Sequence, residues 1–212
     1  LALASLLGGA VLALAQRDLK LMLAFSSVDD MGYLLLGLLA GGAGLSGTGY
    51  SLLSHALCKA ALFGAVGIAE ARIGQPVTLD TRGLAAKVPV ASATFMIGAF
   101  SFIGVPPGLG FIGHWRLYMA GTEMGGPALA VCMYVATALA LLAYVRAIHR
   151  TWLGAGNLAE NTPASVVTSR LAAGVVLVLA LSTVVLGVRP SLLPLSDSMA
   201  THTASIAAWR AR

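Results

Sequence analysis

Lys59 and His55 are the side chains best suited to passing protons, and both lie in one apolar stretch. Ser51 to Ala71 reads SLLSHALCKAALFGAVGIAEA, and a bilayer-crossing helix needs about 20 such residues. A lysine at the centre of a spanning helix costs roughly 2.5–3.5 kcal/mol on insertion scales, so it faces a polar interior and serves a purpose. The two residues are four apart, which puts them on one helix face about one turn from each other. Two readings fit. One is a proton or ion relay, because a desolvated amine can give up its proton. The other is a hydrogen-bonded pair that only ties packed helices together. Glu70 lies eleven residues beyond Lys59; it points the same way but sits about 16 Å along the axis, too far for direct contact.

A second group follows a break. Val90 to Ala120 is 31 residues of apolar sequence, about 46 Å as one straight helix against a hydrocarbon core of about 30 Å. Gly104-Val105-Pro106-Pro107-Gly108-Leu109-Gly110 marks the interruption. The prolines remove donors and the glycines add freedom. Irregular backbone at membrane depth survives only inside protein or beside water, and transporters use such breaks for ion sites. His114 and Arg116 follow directly, and a histidine there can titrate near neutral pH. A purely structural kink with a packed histidine is the competing reading. Gly108 to Gly113 also fits G-x-G-x-x-G, but no strand precedes it, so a dinucleotide site is discarded.

The elements that must position these residues are membrane helices. The chain has 212 residues, 58% hydrophobic and 10% charged, with mean hydropathy +0.88; soluble domains carry about 25% charged residues. Six apolar segments can be drawn, Leu1 to Ala15, about Ser27 to Ala40 (short for a span, with Phe25 and Leu23 able to extend it backward), the Lys59 helix, Val90 to about Ala120, Ala128 to Ile148 and Leu171 to Val188. Residues 1–16 mimic a signal peptide but lack an initiator Met and a basic start, so they read as a truncated membrane helix. Residues 1–152 form the main membrane unit, 153–170 a cytoplasmic loop, 171–190 a terminal membrane helix and 191–212 a tail. The glycine-rich Gly41 to Gly49 and the stretch Gly154 to Thr168 read as loops.

The net charge of +5 sits mostly in short connections, which argues for membrane orientation rather than nucleic-acid binding. Arg17, Lys20, Arg72, Arg82, Lys87, Arg146, Arg150 and Arg170 fall in alternate connections, whereas Gly41 to Gly49 and Gly121 to Pro127 hold no Lys or Arg. The basic connections are therefore cytoplasmic and both chain ends external, with Arg189, Arg210 and Arg212 against the rule. Lys20 at the boundary is explained equally well by snorkelling. Asp29 and Asp30 precede the second span; adjacent carboxylates point about 100° apart, so they read as charges at a helix N-terminus. Cys58 and Cys132 lie in apolar runs without metal-ligand spacing, so no metal, haem, iron–sulfur or other cofactor is expected.

Three motifs in order carry a resemblance. They are Gln16-Arg17-Asp18-Leu19-Lys20 with Ala24 to Val28 and Met31-Gly32-Tyr33; His55-Ala56-Leu57-Cys58-Lys59-Ala60-Ala61-Leu62-Phe63; and Ile97-Gly98-Ala99, Gly104 to Pro107 and Gly110-Phe111-Ile112. The chain resembles the antiporter-like membrane subunits shared by respiratory complex I (NADH:quinone oxidoreductase), Mrp-type cation/proton antiporters and membrane-bound hydrogenases. The resemblance implies an all-α bundle of about fourteen spans in two inverted repeats. The six segments here, with one broken helix, resemble the C-terminal repeat.

It also implies proton translocation, with Na+ as a further candidate ion. Lys59 would be the central carrier, His55 its neighbour, and His114 the group toward the outer exit. Lys20, Glu70, Arg116 and Asp30 would be accessories. Other membrane subunits would be partners, including a chain supplying the missing N-terminal helices. Any enzyme activity, NADH oxidation or hydrogen evolution, would belong to the complex. The alternative is a truncated module that only anchors or scaffolds such a complex, in a bacterial inner membrane or its equivalent. Two positions depart from the family pattern: His114 stands where lysine or glutamate is usual, and Asp29-Asp30 where small residues and His or Gln are usual.

Overall fold

The computed structural model describes residues 1–156 and 170–193. Within them lie α1 (Ala2–Ala15), α2 (Leu19–Ala40), α3 (Gly42–Ile73), the single turn α4 (Leu84–Lys87), α5 (Pro89–Ile103), α6 (Leu109–Ala147) and α7 (Arg170–Val188). A π-type turn, Ile148–Trp152, extends α6. Most of the expected 153–170 loop, and the tail beyond residue 193, fall outside the described residues. Four helices are long and apolar enough to cross a membrane, Leu19–Ala40, Gly42–Ile73, Leu109–Trp152 and Arg170–Val188; α1 and α5 are shorter apolar helices.

The first correction concerns α2. The sequence starts its span near Ser27, extendable back to Leu23, but Asp18 is the N-cap: its backbone is extended, and its carboxylate accepts a hydrogen bond from Leu21 N at 3.0 Å. An aspartate N-cap stabilises a helix by about 1 kcal/mol. The helix therefore begins at Leu19, and Asp29 and Asp30 fall in its buried middle rather than at a helix N-terminus.

The second correction concerns Gly41 to Gly49. Only Gly41 turns, with φ 67°, and α3 starts at Gly42. The other glycines permit close approach rather than a loop. A Cβ on Gly44 would lie 2.5 Å from Gly37 O, and one on Gly47 would lie 3.0 Å from Arg116 Cβ. At its far end α3 stops on Gly74, whose left-handed backbone returns an N–H to Glu70 O at 2.8 Å, the usual glycine C-cap.

The interruption falls where the prolines predict it. α5 ends at Gly104 (φ 91°), and Val105 N reaches back to Phe100 O at 2.9 Å. Pro106, Pro107 and Gly108 then carry the chain to Leu109, where α6 begins. Gly110 is in the first turn of α6, pressed so closely on α5 that an added Cβ would meet Ser101 O at 2.0 Å. The expected connection Gly121 to Pro127 shrinks to Gly126, the one residue of α6 with non-helical backbone (φ 65°, ψ −165°). Pro127 follows it as a helix-starting residue, so α6 is two helices, 109–125 and 127–147, joined at a kink.

α3 is the hub, packed against α2, α5, α6 and α7. Around its C-terminal half lies a core of Leu62, Val66, Phe95, Tyr144 and Trp152, with the Phe95 and Trp152 rings 4.8 Å apart. A second cluster joins Leu6, Tyr33, Leu117 and Met133. The connection between α1 and α2 lies against the one between α3 and α4. Leu19 N donates to Val77 O at 3.1 Å, and Arg17 pairs with Asp80 at 2.8 Å. Arg146 donates to Leu14 O and Gln16 O at the end of α1. Basic connections that the sequence assigns to one membrane side thus gather at one end.

The break depends on the absence of a side chain at Gly110. Gly110→Ala should destabilise the protein by about 1–3 kcal/mol through overpacking, read by denaturant unfolding in detergent. Gly174→Ala, where a Cβ meets nothing within 4 Å, should be neutral or mildly stabilising. Equal effects of the two would contradict this account of the break.

Candidate functional site: a buried lysine and an aspartate between two histidines

α2 presents Leu23, Ser26, Asp30 and Tyr33 at spacings that form one helical stripe. α3 presents His55 and Lys59 one turn apart, as the sequence predicts, and both reach for that stripe. Lys59 is 6% exposed. Its ammonium donates to Leu23 O at 2.8 Å, Ser26 Oγ at 2.5 Å and Tyr144 Oη at 3.3 Å. An ammonium has three donors, so all are matched. The ring of Phe102 lies 4.1 Å beneath the nitrogen, a cation–π contact that further offsets the cost of burial. No carboxylate lies within ion-pair distance of Lys59 among the described residues.

The partners of Lys59 suit a nitrogen that changes protonation state. Ser26 Oγ and Tyr144 Oη are 2.9 Å apart, and hydroxyls both donate and accept. Around an ammonium they accept. Around a neutral amine, one of them can turn its proton toward the nitrogen lone pair. The hydroxyls can thus serve the nitrogen in either form by rotating a proton.

Farther along α2, Asp30 lies between two histidines. His55 Nδ1 lies 2.6 Å from its Oδ2, and His114 Nε2 lies 3.6 Å from its Oδ1. His114 Nδ1 is 3.0 Å from Gly110 O. A carbonyl only accepts, so Nδ1 carries a hydrogen. Nε2 therefore faces a carboxyl oxygen across a gap too long for a direct hydrogen bond but suited to a water bridge. Beyond it the His114 ring meets Tyr33 edge-on at 5.0 Å. Tyr33 and Tyr118 both reach Thr137 Oγ1 at 2.5 Å. From Leu23 to Tyr33 this polar row covers eleven residues of α2, about 15 Å of rise.

The remaining candidates lie elsewhere. Glu70 pairs with Lys20 at the basic end and accepts from Val77 N at 3.2 Å; its partner is thus Lys20 and not Lys59. Arg116 points away from His114, donating to Ser46 Oγ at 3.0 Å and stacking on Tyr50 at 4.7 Å. His55 has Asp30, not Lys59, as its hydrogen-bond partner. Gly104, Pro106, Pro107 and Gly108 form the break itself, which sets His114 opposite Asp30. Sequence reasoning missed Ser26, Asp29, Tyr144 and Thr137 as site residues. The signal for Asp29 and Asp30 was Asp18: reading it as the N-cap places both aspartates at mid-span.

Residues 1–140 match the family described as "NADH:quinone oxidoreductase/Mrp antiporter, TM". NADH-quinone oxidoreductase subunit N of Desulforudis audaxviator (strain MP104C) is 38% identical over 154 residues, covering 72% of this chain and 31% of that protein. The subunit N of Geotalea uraniireducens (strain Rf4) is 32% identical over 201 residues, 94% of this chain and 42% of that protein. Among solved structures, a chain of the Mrp complex from Dietzia sp. DQ12-45-1b superposes with TM-score 0.81 at 29% identity, over 94% of this chain and 45% of that one. A chain of respiratory complex I from Thermus thermophilus with bound NADH gives TM-score 0.80 at 26% identity, over 95% and 43%. The chain thus spans less than half the length of each of these relatives. Its helices, its buried lysine and this match together identify an integral membrane protein that belongs to the NADH:quinone oxidoreductase/Mrp antiporter transmembrane family.

Proposed function

We propose that this chain moves protons across an energy-coupling membrane, such as the bacterial inner membrane, as part of a multisubunit complex of the complex I or Mrp type. The observation that carries the reading is the Lys59 cage: a buried amine whose hydroxyl partners, Ser26 and Tyr144, serve it with or without its extra proton. Lys59 is the central carrier. Asp30, with His55 on one side and His114 on the other, continues the path toward the glycine-rich end. Na+ is an alternative cargo in an antiporter-type complex, and redox chemistry belongs to other subunits.

Among the described residues, six crossings would carry this path: α1, α2, α3, α5 with the first half of α6, the second half of α6, and α7. This is one repeat of the antiporter-like fold with its broken helix. Neighbouring membrane subunits, or further helices of the same kind, cover the apolar outer faces, where Val175, Val178, Leu181 and Val185 of α7 are exposed.

Lys59→Ala should abolish proton translocation by the reconstituted complex while assembly persists. Normal coupling in that variant would leave the chain as a non-conducting anchor. His114→Lys restores the residue type usual at that position and should preserve or raise transport; a loss, with folding intact, would mark His114 as a packing residue. Asp30→Ala should cost stability, by about 1–3 kcal/mol, because His55 loses its buried hydrogen-bond acceptor. Unchanged thermal unfolding would show that the carboxylate does not hold His55.

A further inference from the structure

One buried group is used by none of these contacts. Asp29 is 3% exposed, and its Oδ1 is fully buried without a hydrogen-bond partner. It lines a cavity of about 10 Å³ together with Asp30, Tyr33, Phe102, Ile103, His114, Thr137 and Ala140, close to the ~10–15 Å³ that one water needs. The same cavity borders the 3.6 Å gap between Asp30 Oδ1 and His114 Nε2. α1 covers the Asp29 backbone at Gly9, where a Cβ would meet Asp29 N at 2.3 Å, and α1 carries no titratable side chain. Among the described residues, the charged and titratable groups that face Asp29 are Asp30 and Tyr33 on α2, Lys59 on α3, and His114, Tyr118 and Tyr144 on α6.

We propose that Asp29 is an additional proton-holding carboxyl, joined to the Asp30–His114 pair by a single water in this cavity. An ionised carboxylate with a bare buried oxygen, beside a second carboxylate, is strongly disfavoured. The two adjacent carboxyls therefore share the site as one charged and one neutral group. Asp30 holds the charge, because both histidines face it. The Asp29 proton is handed to the water as the water passes one of its own to Asp30 Oδ1 or His114 Nε2, so no atom is gained or lost. The aspartate that departs from the family pattern thus gives the relay a side store for one proton. The inference rests on the relay reading above for its consequence, but its site is testable without transport.

The test is infrared spectroscopy of the full-length protein in its native complex, in lipid vesicles, in H2O and D2O with no ion gradient. The wild type should show a carboxylic-acid C=O band that shifts in D2O and with 13C-aspartate labelling. The band should vanish in Asp29→Asn, which is nearly isosteric, and persist in Asp30→Asn. A band that fails to respond to aspartate labelling, or that survives in Asp29→Asn, overturns the proposal without relying on any variant's transport. In a transport assay Asp29→Asn should slow translocation at least about tenfold, and an unchanged rate would overturn the side-store role. A complex that moves no protons would still give the band, which separates failure of the relay from failure of this site.

Discussion

The arrangement depends on one constraint: an amine buried in a membrane helix must find acceptors from its neighbours. Lys59 finds three, and they come from two other helices. Leu23 O and Ser26 lie on α2, and Tyr144 lies on the second half of α6. This fixes α2, α3 and α6 together at the level of Lys59 and brings Phe102 of α5 beneath the charge. An unpaired ammonium in hydrocarbon is far costlier than a hydrogen-bonded one, so these contacts are a condition for α3 to sit where it does.

The chemistry follows from which acceptors are chosen. A carboxylate in contact with Lys59 would form a buried ion pair and hold the proton firmly. Here the partners are a carbonyl and two hydroxyls, which bind the charge without neutralising it. The carboxylate is displaced along α2 to Asp30, where His55 hydrogen-bonds to it and His114 faces it across a 3.6 Å gap. Two sites of different character thus lie on one helix stripe. The break between α5 and α6 brings the second histidine to its place, since His114 follows Gly110 by one turn and hydrogen-bonds to its carbonyl.

Much of this was legible in sequence. The spacing of His55 and Lys59 put both on one face, and the structure turns that face to α2. The Gly104 to Gly108 run located the break. What was not legible has physical reasons. Glycines between 42 and 49 look like a loop locally, yet they let α3 press against Gly37 and Arg116, and only the tertiary contact reveals that purpose. Asp29 and Asp30 were placed at a helix end because the apolar run seemed to start at Ser27; the Asp18 cap, visible in the sequence, moves them to mid-membrane. Tyr144 and Thr137 lie more than a hundred residues from Ser26 and Tyr33 in the chain, and no local periodicity could pair them.

The central claim is that Lys59 exchanges its extra proton while remaining in its cage. The most direct measurement is 15N NMR of the Lys59 side-chain nitrogen in the lipid-embedded complex, assigned by its loss in Lys59→Arg, as a proton gradient is applied and removed. Ammonium and amine signals should interconvert, with Ser26 and Tyr144 still in contact. A nitrogen that stays in a single protonation state under every condition in which the complex moves protons would contradict the account.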